Sequence, residues 1–284
     1  MLYDLKNKNV IITGATSGFG LKIAENFINS GASVSICGRN HEKLISAKDY
    51  LEDILKKAPT PEKDQSILFF QTDVSKEDEF KNLINTTIEH FGKVDALINN
   101  AGIYGPIGKL EDLSSDKWIS TFETNLFSIF YGCKYILPHF KENNYGKIIN
   151  VSGGREKPFP RFTSYAVSKT AIIKLTEVLA EENKDYNIFI NSMSPGGLDT
   201  NMLDELLAYD PKIVGEDIYQ EFVKMKNDGG KDPNIGASLC AYLVSDYGDN
   251  ITGKYISAIH DNWKKFHTQI EGLKTDIYTM RRVW

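Results

Sequence analysis

The apolar, β-branched run Asn9-Val10-Ile11-Ile12-Thr13 leads into a turn holding three glycines, Gly14-Ala15-Thr16-Ser17-Gly18-Phe19-Gly20. A helical pattern follows at once, with Leu21, Ala24, Phe27 and Ile28 on one face and Gly31 as its stop. Few folds accept a strand that feeds a helix N-terminus through so tight a glycine turn. Gly14 permits the turn, Gly18 lets backbone approach a phosphate, and Gly20 lets helix and strand pack closely. The unpaired amides of the helix start then suit a dinucleotide pyrophosphate.

The alternation continues along the chain. Strands are predicted at Ser33–Cys37, Ile67–Phe70, Val94–Ile98, Gly146–Val151, Ile188–Met193 and Tyr255–Ala258. Helices are predicted between them: His41 to Lys57 (broken by Ala58-Pro59-Thr60-Pro61), a segment marked by Phe80, Leu83, Ile84, Thr87 and Phe91, a long helix from Lys117 to Phe140, then Tyr165 to Asn183 and Ile235 to Ser245. Strict alternation implies a parallel sheet covered on both faces. With right-handed crossovers, the expected fold is a Rossmann-type, doubly wound, seven-stranded parallel sheet. No Pro/Gly/Ser-rich linker divides the 284 residues, so one domain spanning 1–284 is expected.

Charge and apolar content narrow the function. A net charge of -5 without a sustained basic run argues against nucleic acid or an anionic membrane as partner. No apolar stretch has transmembrane length, and the first residues lack a signal-peptide core. Cys37, Cys133 and Cys240 lie far apart without metal-ligand spacing, so they read as buried thiols of a cytoplasmic protein, and no metal site is expected.

Two further features carry chemistry. The second strand ends in Cys37-Gly38-Arg39-Asn40. An acidic residue there would bind the ribose 2′-hydroxyl of NAD; Arg39 instead suits the 2′-phosphate of NADP through a charge-assisted fork. NADP is therefore the expected cofactor, NAD the less favoured one. Asp73-Val74, after the third strand, is placed to line the adenine, and Asn99-Asn100-Ala101-Gly102, after the fourth, to lie beside the adenosine ribose. In Ser164-Tyr165-Ala166-Val167-Ser168-Lys169, a phenol and an ammonium stand one helical turn apart on one face. A free tyrosine titrates near ~10, so work as a base at neutral pH calls for an adjacent cation. Such a pair beside a dinucleotide implies hydride transfer to or from a carbonyl.

These motifs, with Asn125, the Ser152 region and Pro195-Gly196-Gly197-Leu198-Asp199-Thr200, come in the order of the short-chain dehydrogenase/reductase family, which the chain resembles from about Lys8 to Ala258. Gly38-Arg39 resembles its NADP-preferring members. The resemblance implies Tyr165 as general acid/base, Lys169 lowering its pKa and holding the nicotinamide ribose, and Asn125 anchoring a water that relays protons. It implies cofactor contacts from the turn (Gly14, Thr16, Ser17, Gly18, Phe19, Gly20) and from Arg39, Asp73, Val74, Asn100, Ala101, Gly102, Pro195, Gly196, Leu198 and Thr200. It also implies a homodimer or homotetramer.

One departure stands out. The family carries a serine doublet after the fifth strand, its second serine bonding the substrate carbonyl. Here the run is Asn150-Val151-Ser152-Gly153-Gly154. Counting from the strand puts Gly153 at that position; counting back from Tyr165 puts Ser152 there. Ser152 is the nominated donor; backbone amides of Gly153-Gly154 are the alternative.

Residues 202–230 fall where a substrate lid is expected, and Arg155, Lys157 and Arg161 add positive charge near the pocket mouth. The extension 259–284 carries Trp263, Phe266, Ile270, Leu273, Ile277 and Tyr278, too apolar for a free tail. The expected activity is NADP(H)-dependent oxidation and reduction of a carbonyl or secondary alcohol in a polar small metabolite, a sugar derivative being one candidate. The alternatives are a 3-oxoacyl thioester reductase and an NADP-binding sensor without turnover.

Overall fold

The computed structural model describes residues 2–58, 64–153 and 158–280. The predicted break at Pro59-Thr60-Pro61, and Gly154, Arg155, Lys157 and Trp284, lie outside the described residues. Seven strands, β1 (Asn9–Ile12), β2 (Ser33–Gly38), β3 (Ile67–Gln71), β4 (Ala96–Asn99), β5 (Gly146–Val151), β6 (Ile188–Ser194) and β7 (Tyr255–Ser257), form one sheet in the order β3-β2-β1-β4-β5-β6-β7. Every pairing is parallel. The helices α1 (Gly18–Asn29), α2 (His41–Lys57), α3 (Glu77–Phe91), α4 (Ser115–Phe122), α5 (Ser128–Glu142), α6 (Thr163–Glu182), α7 (Asn201–Leu207), α8 (Pro211–Val214), α9 (Glu216–Asn227), α10 (Pro233–Val244) and α11 (Ile270–Leu273) make the crossovers and the cap.

The period-2 alternation of the strands divides the core. Val10, Ile12, Val34, Ile36, Ala96 and Ile98 point to the layer of α1, α2 and α10. Ile11, Cys37, Leu97, Ile148 and Ile190 point to the layer of α3, α5 and α6. All of these strand residues are fully buried. Each large one contributes on the order of 1.5–3 kcal/mol, and a one-residue register slip would turn the whole set to the wrong layer.

Local chemistry sets the helix ends. Asn40 Oδ1 accepts from Lys43 N at 2.8 Å to cap α2, and Asp232 precedes Pro233 at the start of α10. Gly92, at φ 74°, closes α3 in the left-handed conformation. The predicted long helix 117–140 is interrupted. A turn of wider, π-type winding over Glu123–Phe127 separates α4 from α5 and carries Asn125.

The strand order reverses between β1 and β4, which opens a crevice at the carboxyl ends of the strands. At the far edge, the extension folds back onto the chain. Trp263, Phe266 and Leu273 are buried in the α10 layer, and Trp263 Nε1 donates to Ala258 O at 3.0 Å. Tyr255 N donates to Tyr278 O at 2.8 Å, so the outer edge of β7 is covered by main chain.

Candidate active site

A cavity of about 740 Å³ occupies the crevice. Of the nominated residues, Gly14, Thr16 to Gly20, Arg39, Val74, Asn100 to Gly102, Ser152, Tyr165, Lys169, Pro195, Gly196, Leu198 and Thr200 line it; Asp73 and Asn125 do not.

The turn after β1 fits a pyrophosphate. Gly14 has φ 63°, and a Cβ on it would lie 2.8 Å from Ala101 Cα. A Cβ on Gly20 would lie 2.4 Å from Asn100 Nδ2 and 2.5 Å from Gly14 O. That space is filled by a clamp in which Asn100 Nδ2 donates to the carbonyls of Thr13 and Gly14 at 2.9 and 3.2 Å. Among the described residues no side chain caps α1, whose first turn (Gly18, Phe19 and Gly20) lines the cavity. Gly38, ending β2, answers a second contact: a Cβ there would sit 2.5 Å from Thr16 Cγ2.

Arg39 is exposed at the cavity rim, and Lys43, one turn into α2, joins it. Sequence reasoning passed over Lys43, although its spacing from Asn40 and Arg39 was visible. Asp73 Oδ1 accepts from Ser75 N at 3.0 Å and Ser75 Oγ at 2.7 Å in a local turn. Its neighbours Thr72 and Val74 line the cavity.

At the inner end, Lys169 Nζ donates to Val151 O at 2.9 Å and lies 5.8 Å from the centre of the Tyr165 ring. Burial pushes Lys169 down to about 8. Burial, then the neighbouring phenols of Tyr104 and Tyr255, push Tyr165 up. Burial thus drives both groups toward their neutral forms. Asn125 is fully buried. Its Oδ1 accepts from Ile103 N at 2.8 Å, and its Nδ2 donates to Ile103 O at 2.9 Å and to Ser168 Oγ at 3.1 Å. The amide is thereby spent on fixing the loop after β4. A Cβ on Gly102 would meet Lys169 Nζ at 3.2 Å and Asn125 Oδ1 at 3.3 Å, so three elements converge there.

The two serine registers separate in space. Ser152 is buried, and its Oγ donates to Met193 O on β6 at 3.1 Å. Gly153 has φ 68°, and a Cβ on it would lie 3.4 Å from Tyr165 Oη. The position that faces the phenol is thus Gly153. Ser152, the nominated donor, points its hydroxyl into the sheet; the strand fixes the register because Ser152 N also pairs with Met193 O, at 3.0 Å.

Aromatic side chains close the inner end of the cavity. Tyr104 stands 4.9 Å from Tyr165 between ring centres, and Phe159 stacks on Phe162 at 4.0 Å. Phe222 and Met225 of α9 and Met202 of α7 complete that wall. Burial pushes the Tyr104 phenol up to about 12. Tyr104 and Phe159 belong to no motif that marks them in sequence; they meet Tyr165 only through the fold. Arg161 lies on the approach to α6 with φ 73°.

The family model for short chain dehydrogenase matches residues 8–210. L-fucose dehydrogenase of Oryctolagus cuniculus is 32% identical over 209 residues, covering 72% of this chain and 67% of that protein. Levodione reductase superposes with a TM-score of 0.77 at 26% identity, over 89% of this chain and 96% of the other. The 3-ketoacyl-(acyl-carrier-protein) reductase from Brucella melitensis, solved in complex with NADH, gives a TM-score of 0.75 at 26% identity, over 89% and 97%. A glycine-cradled crevice at the strand reversal, a tyrosine and lysine one turn apart at its floor, and these matches lead to one conclusion: the chain belongs to the short-chain dehydrogenase/reductase family, whose members act on alcohols and ketones with NAD(P).

Proposed function

We propose that the protein is an NADP(H)-dependent oxidoreductase that interconverts a ring-borne secondary alcohol and its ketone. The observation that carries this reading is the single cavity running from the cations Arg39 and Lys43, past the glycine turn, to Tyr165 and Lys169. No acidic side chain from the end of β2 lines the cavity to hold a ribose 2′-hydroxyl, and two cations suit a 2′-phosphate. When bound, NADP(H) supplies or removes the hydride. Tyr165 gives a proton to the substrate oxygen in reduction and takes it back in oxidation. Lys169, pushed down to about 8, exchanges protons near neutral pH and restores the phenol. Asn125 acts by position, pinning Ile103.

The aromatic wall favours a ring with a flat, C–H-rich face, which both cyclic polyols and alicyclic ketones present. The names of L-fucose dehydrogenase and levodione reductase point the same way. Residues 202–230 are read as the lid. Lys226 Nζ ties α9 to Asp199 at 2.7 Å and to Asp204 at 2.8 Å, while Gly215 and Gly229, at φ 96° and 76°, have open space where a Cβ would stand and serve as hinges. Phe127 at the end of the wide turn, Phe130 on α5 and Val167 and Val178 on α6 are exposed apolar residues, and are read as the face of a homo-oligomer. Three buried free thiols accord with the cytoplasm, and no helix among the described residues is long and apolar enough to cross a membrane.

The test is a screen of cyclic polyols against NADP and of alicyclic and aryl ketones against NADPH, followed by Tyr165→Phe. The variant should keep its NADPH affinity and lose nearly all turnover. Retention of more than a few per cent of activity would assign the proton to another group.

A further inference from the structure

Gly153 faces Tyr165, so the strand offers no side-chain hydroxyl at that position to share the reacting oxygen. Its immediate neighbours on the main chain are committed elsewhere. Ser152 Oγ donates to Met193 O at 3.1 Å, and Gly153 N points to the same carbonyl at 3.4 Å. Tyr104 is in a different situation. It lines the cavity, and its ring packs 4.9 Å from that of Tyr165 and 5.7 Å from that of Phe162. Among the described residues its hydroxyl has no hydrogen-bond partner.

The loop that carries Tyr104 is fixed on both sides. Before it, the side chain of Asn125 holds both main-chain polar groups of Ile103, at 2.8 and 2.9 Å. After it, Gly105 has φ 71° and packs so tightly that a Cβ would lie 2.0 Å from Thr121 Oγ1. Both anchors lie on the α4 segment and the wide turn that follows it. The one irregular turn in that long helix thus sets the position of a phenol at the cavity floor.

We propose that the Tyr104 hydroxyl is the second hydrogen-bond donor to the substrate oxygen, standing in for the serine that Gly153 replaces. This rests on the reading of Tyr165 as proton donor. Tyr165 transfers its proton to the oxygen; Tyr104 donates a hydrogen bond to the same oxygen and keeps its proton, and no other bond changes at Tyr104. Burial, which pushes Tyr104 up to about 12, keeps it protonated throughout the neutral range. Asn125 is a positioning residue for Tyr104.

The probe is 2,2,2-trifluoroacetophenone, a flat aryl ketone with an activated carbonyl and a fluorine reporter. Its reduction is followed with NADPH, and its binding by fluorine NMR with oxidised NADP present, where no turnover occurs. Tyr104→Phe should fold with an unchanged melting temperature and bind NADPH within twofold of wild type. Its kcat should fall by about a hundredfold, as loss of an oxyanion donor does, and its affinity for the probe should drop. A Tyr104→Phe enzyme with kcat and probe affinity within threefold of wild type would overturn the proposal. So would a wild-type enzyme that binds NADPH yet neither binds nor reduces the probe. Failure to bind NADPH, or a fully active Tyr165→Phe enzyme, would strike the underlying reading instead.

Discussion

Arg39→Ala separates the nucleotide phosphate from everything else the cofactor touches. Arg39 is exposed at the rim and makes no ion pair among the described residues, so its removal leaves no buried charge behind. A unit cation about 4 Å from a dianionic phosphate is worth roughly 2 kcal/mol at the dielectric of water and several times that at a surface-like value. Exposure and side-chain ordering favour the lower end, about 1.5 kcal/mol, close to a charge-assisted hydrogen bond. The expected result is a loss of NADPH affinity of about tenfold, since 1.4 kcal/mol is a factor of ten. NADH affinity should move by less than about twofold, because the glycine turn and the Tyr165–Lys169 floor are untouched. Lys43 lines the same rim, so adding Lys43→Ala should cost a further threefold or so. Isothermal titration with each nucleotide at low and at raised salt makes the comparison, and salt should narrow the wild-type preference. Equal weakening of NADPH and NADH by Arg39→Ala, or a wild-type preference insensitive to salt, would refute the placement of the phosphate.

Three further outcomes follow from named contacts. Ser152→Ala should leave kcat within about threefold and cost about 0.5–1 kcal/mol of stability, because Met193 O keeps its bond from Ser152 N at 3.0 Å; steady-state kinetics and urea titration check it. Lys169 has a folded-state pKa of about 8 against an ordinary 10.5, so the unfolded chain binds more protons between those values and stability rises with pH across that window. Lys169→Met should therefore raise the melting temperature of the ligand-free protein at pH 7, with the gain shrinking from pH 8 toward 10.5; a gain independent of pH would show that Lys169 is not the titrating group. Trp263→Ala removes a ring left only 2% exposed and should cost on the order of 3–5 kcal/mol, a fall of about 10 °C by calorimetry.

What the sequence made legible was whatever repeats or sits in a local pattern. Strand β5 was predicted with the bounds it has, Gly146–Val151, because the β-branched residues Ile148, Ile149 and Val151 cluster just after the turn-forming pair Asn143-Asn144. The glycine turn was legible because each glycine answers a contact within its own strand-turn-helix unit or with the loop after β4. The wide turn at Glu123–Phe127 was not legible, since one extra residue per turn leaves the apolar spacing nearly intact; the mediocre helix former Asn125 was its only trace. The two-residue turn that Asp73 Oδ1 closes with Ser75 was likewise not legible, since no apolar pattern marks it. The serine register required knowing which atoms β6 offers, and Tyr104 reaches Tyr165 across a loop whose course is set by Asn125 and Thr121. Such placements are fixed by contacts far apart in sequence, which no window along the chain contains.

The ring of Tyr242 on α10 receives Tyr3 at 5.4 Å and Trp263 at 5.4 Å, two residues far apart in the sequence. A ribosome delivers the first of these rings long before the second. Until then, the apolar flank of α10 has half its cover. A nascent chain stalled or cleaved before Trp263 would display that flank to chaperones and proteases, while the nucleotide crevice, built from earlier segments, could already be shaped. Quality control in the cell would thus read the integrity of the segment around Trp263 rather than that of the catalytic floor.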